Sequence, residues 1–212
     1  MESFLPIVVL SLSVSLASSL LAALLGIPLA ALLALARFPG RRLLVVLVNA
    51  LLGLPPVVVG LALYLLLSRA GPLGGLGWLF TPWAMVMAQA ILATPIVAAL
   101  AHRALESCWR DYGRTLQAAG ASRRRALPHL LRMASRPIAT ALLAGFGRTV
   151  SEVGAVLVVG GNILGVTRTM TTAIALETSK GNLDLAMALG LVLVGITVMI
   201  SATLLVLTGA RR

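Results

Sequence analysis

The chain contains apolar runs too long for the interior of a soluble domain. From Phe4 to Ala36 no residue is charged, and the same holds for Leu43–Leu67, Trp83–Ala101 and Leu185–Thr208. A fifth run, Ile138–Val159, is broken only by Arg148 and Glu152. Each reaches the roughly 18 residues that mark a membrane-crossing helix. At about 1.5 Å per residue, each can traverse an apolar layer about 30 Å thick. Only 11% of the residues are charged, against about 25% in a soluble domain, so polar groups cannot cover a globular surface. Aromatic residues make up 4%, too few for the girdles of a β-barrel. The expected fold is an all-α integral membrane protein with five transmembrane helices.

The first run is over-long, so it is expected to tilt or to begin as an interfacial helix. It lacks a basic leader and exceeds the apolar core of a signal peptide, which predicts an uncleaved first span; cleavage near Ala17 is the alternative. The second run contains "GLPPVVVG", Gly53–Gly60, where a proline pair should kink or split the helix. Breaks at membrane depth are tolerated only against protein or a water-filled cavity. Pro55 and Pro56 are therefore expected in the bundle interior.

Charge sets the orientation. Arg37, Arg41 and Arg42 crowd the first connection, and Ala101–Pro137 holds eight arginines against Glu106 and Asp111. With Arg211 and Arg212, these stretches account for the whole net charge of +11. The opposite side carries Glu2, Arg69, and a Gly161–Asp184 loop in which Arg168 and Lys180 balance Glu177 and Asp184. Five spans then place the N-terminus outside and the C-terminus in the cytoplasm. The partner implied by the basic surplus is the lipid bilayer, and no nucleic acid is needed.

Two connections are more than links. In Ala101–Pro137, "RDYGRTLQAA" predicts a helix, Gly120 its C′ residue and Ser122 the cap of a second helix. That second helix carries Leu127, Leu130 and Leu131 on one side and basic residues on the other, although Pro128 blurs its start. A basic amphipathic segment lying on anionic lipid is the competing reading. The outer loop contains "TMTTAIALE", a short apolar piece expected to dip partly into the membrane.

Several chemistries are missing. There is no phosphate-binding G-x-x-x-x-G-K-[ST] loop, so the chain itself is not expected to hydrolyse ATP. His102 and His129 lack metal-ligand spacing, no G-x-S-x-G elbow occurs, and Cys108 has no second cysteine to pair with. No catalytic residue, metal or bound cofactor is expected.

Three stretches carry a family resemblance. "LQAAGASRRRALPHLLRMASRP" resembles the cytoplasmic "EAA" loop of the permease subunits of type I ABC importers, with Gly120 at the glycine of that pattern. It departs where Arg114, Thr115 and Leu116 occupy the EAA positions, and where Leu130–Met133 replace I-x-L-P. "LPPVVVGLALYLLLSRAGPLGGLGWLFTP", Leu54–Pro82, is similar to the second span and outer loop of oxyanion importers. "GRTVSEVGAVLVVGGNILGVTRTMTTAIALETSKGNLDLAMALG", Gly147–Gly190, is most similar to the tungstate-type permease; molybdate and sulfate relatives carry "GEFGA" or a close variant at "SEVGA".

The resemblance implies a MetI-like permease fold over residues 1–212, with a coupling loop at 102–137 and an outer loop at 160–184. It implies a homodimer with its pathway at the interface, in a bacterial or archaeal inner membrane. Two ATP-binding cassette subunits would carry ATP and magnesium, and an extracytoplasmic binding protein would deliver the oxyanion. Gly120, Ala121, Ser122, Arg123 and Leu127 would meet the ATPase. Pro55, Pro56, Arg148, Ser151, Glu152 and Gly154 would line the path or its gate. Asn162, Arg168, Thr171 and Thr172 would face the binding protein.

Arg148 and Glu152 stand at i, i+4, which predicts one helix face. An ionisable residue at this depth costs about 2.5–3.5 kcal/mol on insertion scales, so the pair should point inward. A self-neutralising structural pair and a gate both fit. Direct binding of an oxyanion by Arg148 is opposed by the neighbouring Glu152. A self-sufficient channel or secondary transporter would instead predict inverted repeats, yet neither "LPP" nor "SEVGA" recurs. The resemblance implies tungstate as the foremost cargo, with a molybdate or sulfate permease as the alternative; tungstate against molybdate stays open at this level.

Overall fold

A computed structural model describes residues 4–209, and among them it contains α-helices and short 3-10 turns but no strand. Glu2, Arg211 and Arg212, used above to orient the chain, lie outside the described residues. The central pair is α1 (Phe4–Leu35) against α4 (Pro82–Ala118). Residues at nearly regular fourth positions of α1, namely Ser11, Ser15, Ser18, Ala22, Gly26 and Ala30, are all buried. From Ser18 to Ala30 they form a stripe of small side chains against α4, whose Ala88, Ala93 and Ala101 are fully enclosed. In a bilayer, small residues bring helices close enough for dispersion to hold them, since lipid offers no hydrophobic drive between spans. The outer faces, with Leu5, Leu20 and Leu24 each 70% exposed, remain apolar as a lipid-facing surface requires.

Helices α1, α4 and α9 (Leu183–Gly209) are each long and apolar enough to cross a membrane by themselves. The second predicted span is split. Helix α2 (Arg41–Ala50) and helix α3 (Pro56–Leu67) meet at 101°. The physical reason is the proline pair: Pro56 forces an extended Pro55 (ψ 123°) and then starts α3 where a missing N–H does no harm. The fourth predicted span is also broken, into α6 (Ser135–Val150) and α7 (Gly154–Gly160), bent by 54°.

The Ala101–Pro137 connection does not contain a separate first helix. Helix α4 continues from the apolar run through Gly113 to Ala118, 37 residues or about 55 Å, longer than any apolar layer. After a tight turn comes α5 (Arg123–Met133), intact through Pro128. Leu130 is fully buried and Leu127 and Leu131 are partly buried in a cluster with Ala30, Leu105, Ala126 and Ile138. The amphipathic pattern therefore packs α5 onto α1, α4 and α6. The "TMTTAIALE" piece forms α8 (Met170–Ser179), whose first turn is buried against α1 and α9. Arg37, Arg41, Arg110 and Arg123 meet where α1 ends, and Arg103 reaches Asn49 of α2.

Candidate functional site

Glu152 sits in the gap between α6 and α7 and is 2% exposed. The helix fails here for local reasons. The Ser151 hydroxyl donates to the Gly147 carbonyl at 2.8 Å, a carbonyl that also receives the Ser151 N–H. The Glu152 N–H falls back to Thr149. The Glu152 carboxylate then restarts the helix, its Oε1 accepting from the Ala155 N–H at 2.9 Å, which places negative charge at the N-terminus of α7. Its Oε2 lies 2.6 Å from Arg148 Nη1. That contact is an ion pair by distance, and Oε2 has no hydrogen-bond partner among the described residues. The pair is real, though it does not occupy one continuous helix face as its spacing predicts. It bridges a break, with Arg148 27% exposed at the rim and Glu152 inside.

The two helix breaks adjoin. A side chain on Gly154 would meet Val57 at 2.9 Å and Pro56 at 3.8 Å, so the first turn of α3 touches the first turn of α7. Pro55 is exposed and Pro56 only half-buried. A single chain thus leaves the proline break open, where a place inside the bundle was expected. Ser151 is exposed beside it.

The expected binding-protein residues separate into two groups. Thr172 is fully buried and Thr171 nearly so, so neither faces outward. Thr172 forms a capping box with Thr169 at the start of α8, which satisfies donors that a helix end leaves free. The Thr171 hydroxyl donates to the Glu152 carbonyl at 2.9 Å, tying α8 to the gap. Asn162 and Arg168 are half-buried and bonded to each other, Arg168 Nε donating to Asn162 Oδ1 at 3.3 Å.

At the basic end, Gly120 has φ +80°, a conformation that glycine adopts without penalty. The Gly120 N–H returns to Gln117 and the Ala121 N–H to Leu116, both at 2.9 Å, which closes α4 with paired reverse bonds. The Ser122 hydroxyl accepts from Arg125 N–H at 3.4 Å. Gly120 is exposed and Ala121 half-exposed. Arg123 does not project outward with them. Its Nη1 donates to the Leu35 carbonyl at 2.8 Å, and its guanidinium lies 5.1 Å from the Trp109 ring centroid. Nearby, Arg41 Nη2 donates to Glu106 at 2.8 Å, and this bond holds the Glu106 carboxyl below its usual pKa.

The apolar pattern hides one further polar cluster. Ser18 donates to Gln89 Oε1 at 2.9 Å. Ser19 and Thr149 share a hydrogen bond at 3.0 Å, and Thr149 also reaches the Ser15 carbonyl. These bonds join α1, α4 and α6 one turn before the gap. Gln89, the one amide in its apolar run, was the available signal.

Residues 26–208 match the family described as "Binding-protein-dependent transport system inner membrane component". The chain is 41% identical over 201 residues to a Haloferax volcanii protein named "Probable anion ABC transporter permease protein", covering 92% of this chain and 87% of that one. It is 37% identical over 198 residues to the tungstate uptake system permease protein TupB of Peptoclostridium acidaminophilum, covering 93% and 87%. With the molybdenum transport system permease protein ModB of Mycobacterium tuberculosis it shares 34% over 215 residues, covering 95% and 77%.

Proposed function

Because the chain belongs to the family of binding-protein-dependent transport system inner membrane components, we propose that it is the membrane-spanning subunit of an ATP-driven oxyanion importer, with tungstate as the foremost cargo. The observation that carries this reading is the rigid turn at Gly120, with α5 packed back onto α1, α4 and α6. A helix seated this way transmits a push from a partner to the spans instead of lying loose on lipid. The oxyanion class rests on the names of the relatives.

In this reading the two bent pairs each count as one span, giving five, with the N-terminus outside and the C-terminus cytoplasmic. Two ATP-binding cassette subunits dock at Gly120, Ala121 and Ser122, with ATP and magnesium in those partners. A binding protein meets the opposite end near Asn162 and Arg168. The chain works as a homodimer in a bacterial or archaeal inner membrane. A second copy over the exposed face of α3 would enclose Pro55, Ser151 and Arg148, which one chain leaves open.

The gate is the joint of α3 and α7. Glu152 occupies both the α7 N-terminus and Arg148, so an oxyanion gains neither while the carboxylate stays in place. Alternating access would shift α3 and α7 together and change what Arg148 faces.

The test is uptake by the chain reconstituted with its ATPase and binding protein, comparing tungstate, molybdate and sulfate. ATP-dependent uptake with tungstate preferred is expected. Uptake without ATP would favour a self-sufficient transporter, and a sulfate preference would overturn the cargo.

A further inference from the structure

The corner where α1 ends and α2 begins holds a pocket remote from the helix breaks. It encloses about 290 Å³, and its polar wall is Arg37, Arg41, Glu106, Arg110 and Arg123, with Trp109 beside them. Four guanidinium groups against one carboxylate leave it strongly positive.

Two of the arginines are fixed in advance. Arg41 Nε donates to the Leu33 carbonyl at 2.6 Å and its Nη2 to Glu106. Arg123 is held by the Leu35 carbonyl and by Trp109. Leu33 and Leu35 lie in the last turn of α1, where carbonyls lack helical partners and the dipole favours cations. The other two are held by no direct contact, although Arg110, one turn beyond Glu106, acts on that carboxylate from a distance. Arg37 and Arg110 are exposed and make no hydrogen bond or ion pair among the described residues. Like charges here oppose one another: burial first, then Arg37 and Arg41, disfavour the protonated form of Arg123. A bound anion relieves that repulsion, whereas capping α1 alone requires neither Arg37 nor Arg110.

The position selects the kind of anion. α1 is apolar up to Ala36, and α2 passes at once from Arg41 and Arg42 to Leu43, Val46 and Leu47, all well exposed. The pocket therefore lies where an apolar surface gives way to charge, the level of a lipid headgroup. Basic pockets between spans at that level suit anionic headgroups.

We propose that this pocket binds the phosphate of an anionic phospholipid, bridging the α1–α2 corner to the first residue of α5. Lipid charge would then steady the helix that faces the ATPase. The inference needs only that the chain resides in a membrane, so it stands or falls apart from the cargo.

The test is native mass spectrometry of the full chain extracted from vesicles of phosphatidylcholine and phosphatidylglycerol in equal amounts. Phosphatidylglycerol should be retained selectively. Replacing Arg37→Gln together with Arg110→Gln should weaken retention by about tenfold or more, each cation near the surface contributing to headgroup attraction. The matched pair Arg124→Gln with Arg125→Gln removes equal charge outside the pocket and should weaken retention clearly less than the pocket variant does. Thermal melts of both double variants check folding, and the single variants Arg37→Gln and Arg110→Gln should each give part of the loss. Equal loss in both double variants would mean diffuse attraction and would overturn the site. Displacement of the lipid by millimolar inorganic phosphate would assign a soluble anion instead. Loss of the lipid on assembly with the ATPase would give the pocket to the protein partner. Either result would overturn the proposal.

Discussion

Gly60 lies against Ala155 more closely than any side chain permits: a Cβ on Gly60 would stand 2.9 Å from Ala155 Cα and 3.1 Å from its carbonyl oxygen. These residues belong to α3 and α7, the second halves of the two bent pairs. Together with Gly154 against Val57, the contact joins the breaks into one mechanical unit. A displacement of α3 cannot leave α7 behind.

Substituting Gly60→Ala forces backbone apart, because its nearest neighbour is main chain with no rotamer to escape into. The expected loss is about 1–3 kcal/mol, as for overpacking elsewhere, and Gly60→Val should be worse. Thermal unfolding in detergent measures this. A melt unchanged by Gly60→Val would mean that α3 and α7 do not pack at this distance.

Arg148 and Glu152 call for a double-mutant cycle. Arg148→Gln strands a buried carboxylate, and losing one partner of a buried pair costs about 3–5 kcal/mol. Glu152→Gln strands only a charge at the rim, and its amide oxygen still accepts from Ala155. Stability should therefore fall in the order wild type, Glu152→Gln, Arg148→Gln, with the double variant recovering part of the Arg148→Gln loss. Transport, compared at matched membrane abundance, should fall in Glu152→Gln if the pair gates. Wild-type uptake there would leave the pair a purely structural role.

The three uninterrupted spans, α1, α4 and α9, were legible from composition along the chain, because uncharged runs mark helices. The proline pair announced its own break. The α6–α7 break was not legible, since Ser151, Glu152 and Gly154 fit helical spacing and the chain leaves the helix only where the Glu152 N–H turns to Thr149 and its carboxylate takes the Ala155 N–H. Thr171 and Thr172 misled for a related reason. Threonines in a polar loop look exposed, but here they cap α8 and anchor the gap. Arg123 reads as one of three equal arginines until Leu35 and Trp109 single it out.

Thr171 and Arg168 should separate stability from docking. Thr171→Val removes the hydroxyl that Glu152 accepts from and should cost about 0.5–1.5 kcal/mol, with binding-protein affinity unchanged. Arg168→Ala should weaken that affinity while moving the melt less. Binding of the binding protein to the reconstituted chain, measured beside thermal melts, decides this. An affinity loss in Thr171→Val at unchanged stability would return Thr171 to the docking surface.

Gly120 gives the sharpest test of coupling, because its conformation rather than its contacts is at stake. A Cβ there meets nothing within 4 Å, so any effect of substitution comes from φ +80°. Alanine pays roughly 1–2 kcal/mol in that region, and asparagine visits it more readily. Gly120→Asn should therefore stay close to wild type, Gly120→Ala should loosen the turn, and Gly120→Val should fail most. The readouts are ATPase co-purification and the oxyanion taken up per ATP hydrolysed. Strain in the turn predicts that uptake per ATP falls in that order while the melt of the spans holds. Equal loss for asparagine and valine would instead mean that the partner packs directly on the missing side chain.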